Sequence, residues 1–304
     1  MSRNPGSPAA PRVSFVVVTM NRREDVADCL ESIEAQDYDG KEIVVVDNGS
    51  ADGTPEFIRR RFPDVRLIAL SHNTGAAGGR NRGVAEATGE ICIFVDDDGC
   101  LSQTDATRRV IERFAAEPLL ACIAFRIADP VTGRVDVKTI PRTDKLQPMN
   151  DFECSYFCGA GFAMRRDAFL ACGGFWERLF YGVEELEFSY RLLAHGYTIR
   201  YAPDVTVDHK EVPTARPKGQ WVYFQVRNRC WISARHMPWR YVLATTFLWW
   251  SWCALVAIRR RQVGIYFRAV ADALRGLPQV LEERMPLDRA TLTKVRALAG
   301  RVIY

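Results

Sequence analysis

Four short apolar runs recur early in the chain: Val13–Thr19, Glu42–Asp47, Val65–Leu70 and Ile91–Val95. The segments between them carry helical periodicity. Val26, Leu30 and Ile33 fall on one face, Pro55 to Phe62 makes a second helix, and Gly79 to Thr88 a third. Strands alternating with helices predict βαβ units and a mostly parallel, helix-flanked sheet, an α/β fold. Right-handed crossovers bring the strand C-termini to one edge, where open α/β sheets bind ligands.

Each of the four strands delivers polar or glycine-rich chain to that edge. After the first comes Thr19-Met-Asn-Arg22, and after the second Asp47-Asn-Gly-Ser-Ala-Asp-Gly-Thr54. After the third comes Asn73 to Gly83, and after the fourth Asp96-Asp97-Asp98. Singly, these strings are ordinary turn and N-cap chemistry. Four on one rim point to a ligand site. The aspartate triplet is the sharpest of them, because adjacent carboxylates beside an apolar strand repel one another without a cation. In an extended chain Asp96 and Asp98 share a face, and carboxylate oxygens suit Mg²⁺ or Mn²⁺, which also take oxygens from a diphosphate. The glycines of the third loop stand at 75, 78, 79 and 83, which is not the dinucleotide-binding GxGxxG spacing. Arg80 and Arg82 still place positive charge there.

Further along, Gly159 to Met164 reads as a strand passing close to a ligand. Glu184 opens a helix with Leu186, Tyr190 and Leu193 on one buried stripe. Its three early glutamates suit the helix dipole, and one of them is a candidate base. His209 follows a strand at Val205–Asp208 and is a candidate ligand.

The charge divides the chain. Of its 41 basic and 37 acidic residues, residues 1–214 hold 25 and 33, and residues 215–304 hold 16 and 4. Six of the seven tryptophans also lie in the second part. We place the boundary at Pro213–Gly219, giving a lead at 1–12 expected to be disordered, a catalytic domain at 13–214, and a basic, Trp-rich, mainly helical region at 215–304. Tyr241–Ile258 contains no formal charge and is followed by Arg259-Arg260-Arg261. That pattern favours an anionic membrane surface over nucleic acid, leaving a bilayer span, a core helix or a homo-oligomer contact as alternatives. Nine cysteines without a CxxC pair suggest neither a disulfide framework nor a zinc site, and the reading is cytoplasmic, at the inner face of the cell membrane.

In chain order, Val18-Thr-Met-Asn-Arg22, Val46-Asp-Asn-Gly-Ser50, Asn73-x-Gly75, Gly79-Arg-Asn-Arg-Gly83, Phe94-Val-Asp-Asp-Asp98, Gly173-Gly-Phe175 and Glu184-Glu-x-Glu187 resemble the family-2 inverting glycosyltransferases of GT-A fold, in particular bacterial rhamnosyl- and galactofuranosyl-type enzymes. The resemblance implies a nucleotide-sugar site lined by Thr19, Asn21, Arg22, Asp47 and Asn48, with Asp47 accepting from a uracil or thymine N–H. It adds Gly75, Arg80 near the phosphates, and Asp96 and Asp97 near the ribose or sugar. Asp98, His209 and Asp96 would hold Mg²⁺ or Mn²⁺. Glu185 falls where the family places its base, usually an aspartate, and Glu184 is the second candidate. The implied reaction moves a sugar from a UDP- or dTDP-sugar donor to a hydroxyl of a glycan, lipid-linked or small-molecule acceptor, in cell-surface polysaccharide or glycoconjugate synthesis. A nucleotidyltransferase, or an inactive membrane-associated scaffold, is the alternative.

Overall fold

The computed structural model describes residues 11–146, 148–210 and 219–300. The boundary at 213–218 and nearly all of the lead therefore lie outside the described residues. The first half follows the alternation read from the sequence: β1 (Val13–Thr19), α1 (Arg23–Glu34), β2 (Lys41–Asp47), α2 (Thr54–Arg61), β3 (Arg66–Ala69), α3 (Gly75–Glu86) and β4 (Ile91–Val95). Helix α3 begins four residues earlier than its periodicity suggests. Gly75 has φ +77° and lets the chain turn directly from the loop into the helix.

Beyond β4 come β5 (Gly99–Leu101), α4 (Ala106–Ala116), β6 (Leu120–Ala128), β7 (Phe152–Cys154), β8 (Gly161–Arg165), α5 (Arg166–Ala171), a 3₁₀ turn at Glu177–Leu179, α6 (Glu184–Ala194) and β9 (Thr198–His209). The sheet runs β3-β2-β1-β4-β8-β6-β9-β5, with β7 also on β9. Its first four strands are parallel, β8 runs antiparallel to β4 and β6, and β6 and β9 pair in parallel. The strand expected at Val205–Asp208 is the last third of the longer β9, and β5 lies antiparallel to it with Gly99 opposite His209.

Alternate residues of the central strands feed two cores. Phe15, Ile93 and Ala163 pack on one face with Val26, Leu30 and Val110 from α1 and α4. Phe94, Phe162 and Met164 pack on the other with Val84, Phe169 and Phe188 from α3, α5 and α6. Phe94 and Phe162 stack at 4.4 Å, an arrangement worth about 0.5–1.5 kcal/mol beyond the area it buries. Helix α6 is buried on nearly every side, not along the single stripe its periodicity indicates, because C-terminal helices cover it.

Those helices are α7 (Gln220–His236), α8 (Trp239–Arg259), α9 (Val263–Glu282) and α10 (Arg289–Ala297). Trp231, Val280 and Leu292 join the same core as Phe188. A separate cluster, with Val222, Cys253 and Ala269, ties α7, α8 and α9 together. Helix α8 is not a core helix. Only Val242, Thr245, Cys253 and Ala257 are buried along its 21 residues, whereas Leu243, Phe247, Trp252, Leu255 and Ile258 are all at least half exposed. It is long and apolar enough to cross a membrane, by length and composition alone.

Candidate active site

The parallel register sets Thr19 beside Asp47 and Asp47 beside Ala69, and β4 ends at Val95 on the same edge, so the four loops expected to bear a site do converge. The aspartates are not extended. They form a turn between β4 and β5, closed by Gly99 N–H donating to Asp96 O at 2.9 Å. The turn still separates their roles. Asp97 points into the protein, accepting from Thr19 Oγ1 and Arg22, each at 2.8 Å. Burial pushes its carboxyl up to about 7, against the pull of Arg22 and Thr19.

Asp98 shares Arg22 with Asp97, its Oδ2 lying 2.7 Å from the guanidinium, and with Asp96 it meets His209. One ligand atom from each of the three lies within 4.8 Å of the others. His209 Nε2 is 3.0 Å from Asp98 Oδ1 and 3.9 Å from Asp96 Oδ2. The β5–β9 pairing delivers the histidine, since Gly99 follows the triplet and lies opposite His209. Burial raises the Asp98 carboxyl, but His209 and Arg22 outweigh it and hold the group below the ordinary carboxylate range. Two carboxylates and an imidazole on one pocket are a donor set that fits Mg²⁺ or Mn²⁺.

Arg80 is the hub. It is buried, and its bonds go to carboxylates on two separate elements. Its guanidinium donates to Glu184 Oε1 at 3.0 Å, Glu185 Oε1 at 3.4 Å, Asp96 Oδ1 at 3.1 Å and the Gly159 carbonyl at 3.0 Å. One side chain thus links the aspartate turn to the start of α6. Burial raises both glutamates, while Arg80 pulls in the opposite direction. Glu184 is 2% exposed and Glu185 is more open, with 17% of its side chain accessible. A Cβ at Gly159 would overlap Glu185 Oε1 and displace the carboxylate from its present position.

The remaining predicted residues divide. Asn48 holds the glycine loop, donating to Gly75 O at 3.0 Å and accepting from Thr74 N–H at 2.8 Å. Asn21 likewise braces the neighbouring loop, accepting from Ala51 N–H at 2.8 Å. Asp47 is buried, with Oδ2 taken by Ser50 N–H at 2.9 Å and Oδ1 without a hydrogen-bond partner. A cavity of about 470 Å³ runs from Thr19, Arg22 and Asn48 past Gly75 to Arg80 and Asp96. A second, of about 230 Å³, holds Asp96, His209, Arg80 and both glutamates. A third, of about 400 Å³, opens beyond Glu185 and Gly159. Shared walls make the three one cleft.

Phe180 and Tyr181, on the loop before α6, also wall the first cavity, and neither stood out in the sequence. That loop is pinned from α7. Asn228, fully buried, donates to the carbonyls of Leu179, Tyr181 and Gly182 at 2.9–3.0 Å. Arg227 adds a bond to Leu179 O at 3.0 Å. A lone asparagine inside a helical stretch carries no signal that it serves a loop more than forty residues earlier.

Comparison with known proteins bears on the family and the fold. The family model for glycosyl transferase family 2 matches residues 14–173. Among curated proteins, the succinoglycan biosynthesis protein ExoO of Rhizobium meliloti is 40% identical over 111 residues, covering 36% of this chain and 31% of that protein. The poly-beta-1,6-N-acetyl-D-glucosamine synthase of Staphylococcus aureus (strain COL) is 25% identical over 204 residues, covering 63% and 48%. The chain thus spans about a third to a half of the length of these relatives. Among solved structures, a mannosyltransferase from Pyrobaculum calidifontis in complex with GDP-Man and Mn²⁺ superposes with TM-score 0.57 at 23% identity, over 95% of this chain and 80% of that one. TarS 1–349 of S. aureus in complex with UDP gives 0.60 at 18%, over 95% and 88%. The fold is GT-A, and the chain belongs to glycosyl transferase family 2.

Proposed function

We propose that the protein is a metal-dependent, inverting transferase that moves a sugar from a UDP- or dTDP-sugar to a hydroxyl of a glycan or lipid-linked acceptor in cell-surface polysaccharide synthesis. One observation carries the reading: Asp96, Asp98, His209 and Glu185 face a single cleft, with room for a donor on one side and an acceptor on the other. The nucleotides held by two structural neighbours, GDP-Man and UDP, support a nucleotide-sugar donor, and the polysaccharide relatives support a glycan acceptor.

Asp96, Asp98 and His209 would hold Mg²⁺ or Mn²⁺, which supplies countercharge for the departing nucleoside diphosphate. Glu185 stands between the donor-side and acceptor-side cavities and takes the proton of the acceptor hydroxyl. The acceptor oxygen then bonds to the anomeric carbon as the bond to the diphosphate oxygen breaks on the opposite face, so the configuration inverts. Arg80 keeps Glu184, Glu185 and Asp96 in fixed relation, so little reorganisation accompanies the step. Replacing Asp98 removes a carboxylate from the cation site and leaves Arg22 and His209 facing it. Asp98→Ala should abolish Mn²⁺-stimulated transfer, measured by titrating the metal into assays of wild type and variant. An unchanged metal response would remove Asp98 from the site.

The chain's place, in this reading, is the inner face of the cell membrane. The exposed residues of α8 from Leu243 to Ile258 are apolar except Ser251, and Arg259, Arg260 and Arg261 follow, all exposed. Each basic residue near an anionic surface contributes about 1 kcal/mol. The full chain should float with phosphatidylglycerol vesicles and much less with phosphatidylcholine. Leu243→Glu/Phe247→Glu should lose flotation while keeping its thermal midpoint, because both side chains are more than 70% exposed. Equal flotation of wild type and variant would dismiss this face.

A further inference from the structure

We propose that Asn228 is a positioning residue for transfer: from α7 it holds the 180–183 loop in a strained shape that fixes the donor wall and aims Glu185 at the acceptor. The inference rests on the reading of Glu185 as the base, and deepens it.

This loop touches every part of the cleft. Phe180 and Tyr181 wall the first cavity, Tyr181 and Gly182 the second, and Val183 the third. Val183 also caps the start of α6, directly before Glu184 and Glu185. Arg80 reaches Glu185 by the longest of its four bonds, 3.4 Å, so the backbone at the start of α6 carries much of the placement of that carboxylate. That backbone is not in an ordinary conformation. Phe180, Gly182 and Val183 have φ of +62°, +80° and +66°. Glycine adopts this region freely, whereas a phenylalanine, and above all a β-branched valine, is strained in it. Such conformations persist where the surroundings over-determine them.

Two surroundings do so here. On the donor side, Gly75 lies so close that a Cβ there would overlap the Phe180 carbonyl. On the other side stands α7, where Phe224, Arg227 and Asn228 are spaced i, i+3, i+4 and share one face. The Phe224 ring stacks on Phe180 at 5.7 Å and meets Tyr181 edge-on at 5.9 Å. Arg227 Nε donates to Asn228 Oδ1 at 2.9 Å, which turns the amide nitrogen toward the loop. That nitrogen serves the carbonyls of Leu179, Tyr181 and Gly182 together. Asn228 is completely buried, so a side chain of the same shape without those N–H groups leaves no room for water to replace them, and the carbonyls lose their donor outright. The strained loop then has α7's ring contacts but not its anchor. A displacement of about 1 Å, caused by a change remote from the chemistry, is enough to slow a reaction about 10²-fold.

Asn228→Asp in the full chain tests the proposal. The carboxylate keeps the shape of the amide and its pairing with Arg227, but sets an oxygen where the N–H groups stood. Hydrogen exchange read by mass spectrometry should quicken across 179–188 and stay unchanged in β1 and β4. Nucleoside diphosphate release from UDP-N-acetylglucosamine, UDP-galactose and dTDP-rhamnose with Mn²⁺ should show kcat lower by about 10–100-fold. UDP affinity should stay near that of wild type, because Thr19, Arg22 and Asn48 are untouched. Val280→Ala, a fully buried position on α9, measures a purely structural effect: it should lower the thermal midpoint and leave the kcat of folded protein unchanged. Exchange across 179–188 equal to wild type overturns the clamp. A kcat equal to wild type, or a loss that Val280→Ala reproduces, overturns the positioning role. Should Asn228→Asp fail to fold, Arg227→Gln removes the group that orients the amide and should show the same pattern more weakly, and an unaltered kcat there overturns the proposal. The underlying reading fails differently: wild type then releases no nucleoside diphosphate from any donor, or Glu185→Gln keeps full turnover, whatever the exchange comparison shows.

Discussion

Glu185→Gln should lower turnover by about 10²–10⁴-fold, the usual contribution of a positioned general base, while nucleotide binding stays intact. The amide keeps the shape of the carboxylate and can still accept from Arg80, so the hub around Arg80 survives and only proton acceptance is lost. Glu184→Gln should cost less, because Glu184 is nearly inaccessible and serves to fix Arg80 at 3.0 Å. The pH profile provides a second check. Burial raises the Glu185 carboxyl above the ordinary value of 4.5. The base works only when deprotonated, so kcat should fall as pH drops through that raised value, placing the acidic limb above 4.5. Single-turnover rates and UDP affinity, measured together, separate base loss from donor loss. Full turnover in Glu185→Gln would remove it as the base.

Glu187→Ala should destabilise the fold by roughly 3–5 kcal/mol, the cost of stranding buried charge. Glu187 is completely buried and gathers three cationic or imidazole partners. Arg191 Nε approaches at 3.0 Å, His236 Nε2 at 2.8 Å and Arg235 at 3.6 Å. Removing the carboxylate leaves Arg191, Arg235 and His236 together in the interface of α6 with α7. Glu187 is held at about 2: burial would raise it, but Arg191 and His236 prevail. A depressed carboxylate adds stability that is fully present above the ordinary value of 4.5 and is lost as pH falls toward 2. Wild type should therefore lose more stability than Glu187→Ala between those pH values. The thermal midpoint at neutral pH should drop by roughly 6–15 °C. Arg275→Ala, which breaks an exposed pair with Asp272, is the control and should change little. A midpoint in Glu187→Ala equal to wild type would show that the cluster does not hold α6 to α7.

The parallel half of the fold was legible because buried parallel strands are nearly uninterrupted apolar runs. Val13–Thr19 and Ile91–Val95 therefore show their ends in the sequence, and so do the rim loops at those ends. The aspartate triplet was legible for the same reason. What was hidden depends on register between distant segments. His209 reaches Asp98 only because β5 pairs antiparallel with β9, and three-residue β5 leaves almost no periodic trace. Arg80 reads from its glycine loop as positive charge near a phosphate, and its bonds to Glu184, Glu185 and Asp96 become visible only once the start of α6 is placed beside it. Trp221, Gln225 and Arg229 on α7 read only as part of a basic, aromatic stretch, although they line the cavity beyond Glu185. The placement of Asn228 under the 179–182 loop follows from packing alone.

In the proposed reaction one cleft joins a diphosphate-leaving side to a proton-accepting carboxylate. Its most direct test is product analysis of a nucleotide-sugar panel incubated with the protein, Mn²⁺ and a mixed glycan and lipid-linked acceptor extract. Nucleoside diphosphate release is expected from at least one UDP- or dTDP-sugar, stimulated by acceptor, absent without metal and lost in Asp98→Ala. Pyrophosphate release from a nucleoside triphosphate and a sugar phosphate, with no nucleoside diphosphate from any donor, would contradict it.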